Sequence, residues 1–362
     1  MTLKRGTGAA LAAADDPARP LRTDDNAMLK AAANLTRDLN SPNPLIYWAD
    51  MLGSAALGYF ALFLALNADS TLAGVATGLV AVLALYRAGS FIHELTHLKP
   101  NAVPGFRLVW NLIFGVPLLV PSFMYEGVHN QHHAKTYYGT VNDPEYLPLA
   151  LMKPSTLPLF LVASVLAPIG LLIRFGVLAP LSLLSPALRE AVVAKYSGLQ
   201  INPKFRRKWP DGDFRRDWIL QESAASIWAI LLIALAVTGA IPLRDFAILL
   251  GIASGVMFLN QVRTLVAHLW ENEGEPMSVT AQYLDSVNVP PPATLPALWA
   301  PVGLRYHALH HLLPGVPYHN LGEAHRRLSR ELASDSPYFV SNHRGLSPLV
   351  ARLAASTMRR SL

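Results

Sequence analysis

The chain has 362 residues, of which 52% are hydrophobic and 15% charged, against a charged share of about 25% in ordinary soluble domains. Lipid is the solvent such a composition fits. Cysteine is absent, which excludes disulfides, thiolate zinc sites, iron–sulfur clusters and a fused rubredoxin and leaves nitrogen and oxygen to hold any metal. The net charge of +6 is modest, and its basic residues gather between apolar runs, at Lys204, Arg206, Arg207, Lys208, Arg215 and Arg216. That placement fits loops beside anionic lipid and argues against nucleic-acid binding.

In chain order, residues 1–44 open with a basic start and a short Ala-rich run, Gly8 to Ala14, closed by Asp15 and Asp16. They read as a disordered or peripheral cytoplasmic tail rather than a signal peptide. Two spans follow, 48–67 and 71–92, and two more come later, 220–241 and 245–266, so the spans form two hairpins. The turn from Asn67 to Ser70 has no Lys or Arg, and the turn near Pro242 has only Arg244. Counting the remaining basic residues places both termini and every long segment in the cytoplasm, and the membrane reads as a bacterial inner membrane. Segments 105–125 and 154–188 are also apolar but are broken by Pro117, Pro121, Pro158, Pro168 and Arg174. Residues 331–362 read as a cytoplasmic tail.

Nine histidines form a pattern: His93 and His97 in HELTH; His129, His132 and His133 in HNQHH; His268 alone; and His307, His310 and His311 in HALHH. On a helix, residues three and four apart share a face, so each motif aims two or three imidazoles at one point. Converging neutral imidazoles suit a transition metal. Nine are too many for one ion; two ions with four or five nitrogens each would use them all, and a redox metal such as iron can activate dioxygen. If all nine meet, segments 105–125 and 154–188 must each begin and end on the cytoplasmic side, as interfacial or re-entrant pieces. HELTH also matches the HExxH helix of zinc proteases, with Glu94 as general base. An intramembrane protease would leave the other motifs idle.

The order HxxxH, HxxHH, lone His, HxxHH, with spans in two hairpins, resembles the membrane fatty acid desaturase superfamily across residues 45–330. Asp143 and Pro144 after the second box, and HHLLPGVPYHNL running on from the third, add to the likeness. The resemblance implies an all-α integral membrane protein in which four transmembrane helices, interfacial helices and a cytoplasmic helical cap carry a di-iron site. By the same resemblance the eight box histidines and His268 carry over as iron ligands. Thr264 stands where some relatives have an asparagine that holds a water on iron. The implied activity is oxygen-dependent desaturation of a fatty acyl chain or related lipid. The alternative is a hydroxylase or ketolase inserting oxygen into an alkane, lipid or carotenoid. Lacking cysteine, an HPGG haem segment and a Gly-rich nucleotide loop, the chain would draw electrons from a separate ferredoxin, rubredoxin or cytochrome with its reductase.

No acid or base beyond the ligands is expected. Asp143 and Glu94 are candidates to orient ligand imidazoles, and Asn142, Glu145, Glu271 and Asp285 are weaker ones. His319, His325 and His343 lie outside any box, and Trp270, Trp299, Tyr137 and Tyr138 read as an interfacial belt in preference to a substrate tunnel.

Overall fold

The computed structural model describes residues 24–359, so the run Gly8 to Ala14 lies outside the described residues. Their regular secondary structure is helical, joined by irregular stretches and with only isolated bridges such as that between His268 and Ser286. In chain order the helices are α1 (Asn26–Leu35), α2 (Pro44–Leu66), α3 (Thr71–Gly89), α4 (Phe91–His97), α5 (Phe106–Trp110), α6 (Val128–His132), α7 (Thr156–Val165), α8 (Ala167–Ile173) and α9 (Ala179–Ser182). Beyond them come α10 (Pro186–Tyr196), α11 (Gly212–Val237), α12 (Leu243–Leu265), α13 (Val279–Asp285), α14 (Pro296–Trp299), α15 (His307–Leu312), α16 (Leu321–Glu331) and α17 (Leu346–Arg359).

Four helical runs are long and apolar enough to span a membrane: α2, α3 continued by α4, α11 and α12. Local chemistry sets their starts. Asn43 Oδ1 caps α2 through Leu45 N–H, with proline at the first helical position, and Ser70 Oγ caps α3 through Ala73 N–H. The helices are apolar all round, and Phe60, Phe63, Leu72, Leu79 and Ile227 point outward at 58–80% exposure. Such faces are stable only against lipid. Inside, small residues let the helices close: a Cβ at Gly58 of α2 would lie 2.7 Å from Leu85 of α3, and one at Gly255 of α12 would lie 2.7 Å from Val82.

Both proline-broken segments enter the bundle and turn back. Leaving α5, the chain reverses through Pro117–Pro121, and the loop is pinned by Asn111, which accepts from Ser122 N–H at 2.8 Å and donates to Ser122 Oγ at 2.9 Å. Carbonyls freed by the reversal find donors from the spans. Tyr59 of α2 donates to Ile113 O, and the Trp228 indole of α11 donates to Pro117 O at 3.1 Å, which satisfies unwound backbone at membrane depth. The longer segment descends along α12, where Ser254 donates to Val165 O. It bends by 53° between α7 and the run 167–182 and leaves along α11, with Gly176 against Ala229 and Ile233. The bend between α7 and the run 167–182 fits a re-entrant piece, which a shared histidine centre asks of this segment.

Arg174, which could mark a far-side turn, instead lies buried against α11, where Glu222 takes Arg174 and Arg189 together. Removing one member of a buried charge network costs about 3–5 kcal/mol. Glu222→Leu should therefore lower the unfolding temperature of the detergent-solubilised protein by several degrees, and an unchanged melt would show that the cluster contributes nothing.

The cap lies over one end of the bundle. Residues 26–43 are not a loose tail: α1 sets Met28 and Ala32 into a core with Tyr283, Leu309, Leu321 and Leu328, and Asp38 pairs with Arg327 of α16. An Ala-rich helix with few large side chains gives a weak sequence signal, and the packing partner lies far away in sequence. At the other end of the chain, α17 buries Leu349 and Leu353 against the segment around Val266 and Trp270.

Candidate metal centre

Each box lies on a short helix aimed at one point. The first continues α3 as α4, at the capward end of its span; the second is α6; the third is α15; and His268 follows the end of α12, held by its bridge to Ser286. The nine imidazoles converge and divide in two. His93, His97, His129, His133 and His310 form one group, and His132, His268, His307 and His311 form the other, with the facing atoms of each group within 4.8 Å of one another. His319, His325 and His343 stay outside. His319 accepts from Asn43 N–H, and His325 bonds the Tyr338 hydroxyl.

The groups fit metal ions on three counts. Their Nε2 atoms face one another at 2.9 Å (His129 and His133), 3.0 Å (His97 and His310), 3.1 Å (His268 and His307) and 3.2 Å (His307 and His311). Two imidazoles bound at right angles to one ion at about 2.1 Å put their nitrogens about 3.0 Å apart. Both ring nitrogens of His93 and Nδ1 of His310 are buried without a hydrogen-bond partner, a costly state unless something else takes their lone pairs. Finally, burial, reinforced by neighbouring imidazoles and for His307 first by the Arg263 cation, holds His129, His133, His307, His310 and His311 well below the ordinary imidazole range. Neutral imidazole is the form that ligates.

Carboxylates and hydroxyls behind the rings set the tautomers. Asp143, fully buried, faces His132 Nδ1 at 2.9 Å and also accepts from Gly139 and Glu145 N–H. Burial disfavours the His132 cation, but Asp143 outweighs it and raises the pKa. Glu145 faces His129 Nδ1 at 3.0 Å, with its own pKa pushed up to about 7 by burial. His268 Nδ1 meets the Tyr138 hydroxyl at 2.8 Å, which donates on to Asp285 at 2.9 Å. Asp143 and Glu145, two residues apart, thus serve different groups. Glu94 departs from expectation: its Oε2 takes the Tyr47 hydroxyl and Tyr318 N–H, and its Oε1 lies 3.6 Å from His93 Nδ1, too far to bond.

Sequence reasoning missed Arg263, whose guanidinium lies 3.0 Å from His307 Nδ1, and the role of Tyr138. Tyr138 and Trp270 are buried beside His268, so they form no interfacial belt. Trp299 is also buried, and its carbonyl accepts from the Tyr86 hydroxyl. Thr264 turns its hydroxyl to Asn260 O and offers the centre nothing.

Four apolar spans capped by two polyhistidine groups define a membrane protein of the fatty acid desaturase family, and the chain belongs to that family, whose model matches residues 70–342. It is an oxidoreductase family acting on lipids. Over 322 residues the chain is 49% identical to the ceramide hydroxylase of Caulobacter vibrioides (strain NA1000 / CB15N), covering 89% of this chain and 92% of that protein. No solved structure matches it.

Proposed function

We propose that this protein is an oxygen-dependent di-iron hydroxylase of ceramide or a closely similar sphingolipid. The observation that carries this reading is the 49% identity to a ceramide hydroxylase along nearly the whole of both chains. It favours oxygen insertion, the alternative in the sequence reading, over desaturation. His93, His97, His129, His133 and His310 would hold one iron and His132, His268, His307 and His311 the other. The iron pair, when bound, supplies dioxygen activation and cleavage of an unactivated C–H bond. One oxygen atom enters the lipid and the other leaves as water, which takes two electrons and two protons. Those electrons come from a separate carrier protein.

The chain's own residues prepare that chemistry. Asp143, Glu145 and the Tyr138–Asp285 pair keep the Nδ1 protons of His132, His129 and His268, which turns their Nε2 lone pairs inward. Six of the nine histidines are buried, whereas His97, His133 and His311 are half-buried as whole residues.

Incubating the protein with ceramide, dioxygen and a reducing system should yield a product heavier by one oxygen, read by mass spectrometry. Loss of two hydrogens would restore desaturation. The centre and both termini should lie in the cytoplasm of a bacterial inner membrane. Accessibility labels at Lys99, Lys135, Lys208 and Arg305 should all report that side, with Asp69 opposite; a far-side signal from Lys135 alone would break the shared-centre reading.

A further inference from the structure

Between the first turn of α2 and the end of α4 lies a small open cleft of about 60 Å³, lined by Asn40, Tyr47, Glu94, His97, Lys99 and the Pro314–Pro317 loop. We infer that it receives the polar end of the lipid substrate, with the amide N–H and neighbouring hydroxyls of a neutral sphingolipid donating to Glu94. This rests on the hydroxylase reading and adds the place and orientation of the substrate.

Position supports it. His97, a half-buried member of the five-histidine group, forms part of the wall, so an occupant lies directly against the centre. Leu45, in the first turn of α2, is 75% exposed on a helix bathed in lipid. Tyr47 of the lining stands in that same turn, so the cleft lies at the end of an apolar span, the depth at which a neutral lipid carries its amide.

The chemistry of the wall selects the head group. It holds one carboxylate and one cation, Lys99, whereas the basic cluster Lys204, Arg206 and Lys208 lines a separate hollow with Gly127 and Gln131. A phosphate or nucleotide carrier would find too little positive charge here. Glu94 fits a donor instead. Its Oε2 is taken by Tyr47 and Tyr318, while Oε1 accepts no hydrogen bond among the described residues. A buried carboxylate oxygen with spare lone pairs prefers an N–H or O–H partner. Seating the amide beside His97 also places the carbons next to the amide, rather than those far along either chain, nearest the centre.

The test compares binding of short-chain ceramide, its N-methyl analogue and a diacylglycerol to the metal-loaded protein without oxygen, so that nothing turns over. Ceramide should bind about tenfold more tightly than either analogue, the size of one lost hydrogen bond. Ala102→Phe, which fills the cleft, and Glu94→Gln should each erase most of that preference while metal content and melting stay as in the wild type. With oxygen admitted, fragmentation should place the new hydroxyl next to the amide. Equal binding of all three lipids by the wild type, or a hydroxyl far along a chain, overturns the proposal even if ceramide is oxidised. Should Ala102→Phe fail to fold, the N-methyl comparison on the wild type decides alone. A wild-type protein that discriminates as expected but adds no oxygen keeps the subsite and defeats the hydroxylase reading.

Discussion

Alanine at His268 should cut the iron content from two ions per chain to about one and lower turnover on ceramide by about 100-fold or more. Changing the partner behind a metal ligand typically costs 10–100-fold, and loss of the ligand itself should cost no less. His268 stands alone in sequence, yet its Nε2 lies 3.1 Å from that of His307 within the four-nitrogen group. That group has no spare nitrogen. The five-histidine group does not use His268 and should stay loaded, so elemental analysis and turnover together read the effect. Normal turnover with both metals present would remove His268 from the ligand set. A single zinc with no iron, after expression with iron supplied, would defeat the di-iron reading as a whole.

Asp143→Ala and Glu145→Ala should deplete different ions. Asp143 faces Nδ1 of His132 in the four-histidine group, and Glu145 faces Nδ1 of His129 in the five-histidine group. Each substitution should weaken its own ion by about 10–100-fold in a chelator titration and leave the other nearly unchanged. Asp143 also accepts two backbone N–H bonds at 2.8 Å, so its loss should lower stability too. Asp143→Asn, which preserves shape, separates the effects: the melt should recover more than the metal affinity. Equal loss of both ions from either variant would mean that the two groups do not act as separate sites.

Much of the centre was legible because its signal is local. The boxes declare themselves by spacing within single helical turns, and the four spans by uninterrupted apolar runs. The meeting of all nine rings also asks the proline-broken segments to turn back, which the reversal at Pro117–Pro121 and the 53° bend after Val165 fit. What the sequence hid depends on contacts between distant segments. Arg263 is an unremarkable last-turn arginine until α15 brings His307 against it. Glu94, one residue from a ligand, looked like an orienter, but Tyr47 and Tyr318 draw its carboxylate away. The folding of residues 26–43 depends on α16, nearly the whole chain away. Desaturation against hydroxylation was not legible at all, because the same imidazoles serve both outcomes.

The pairing of His97 with His310 joins residues 213 positions apart, and the third box contributes histidines to both groups. If these groups hold the ions as proposed, neither site is complete before the third box has been made. In a cell short of iron, whole inserted apoprotein should accumulate rather than truncated or half-loaded chains.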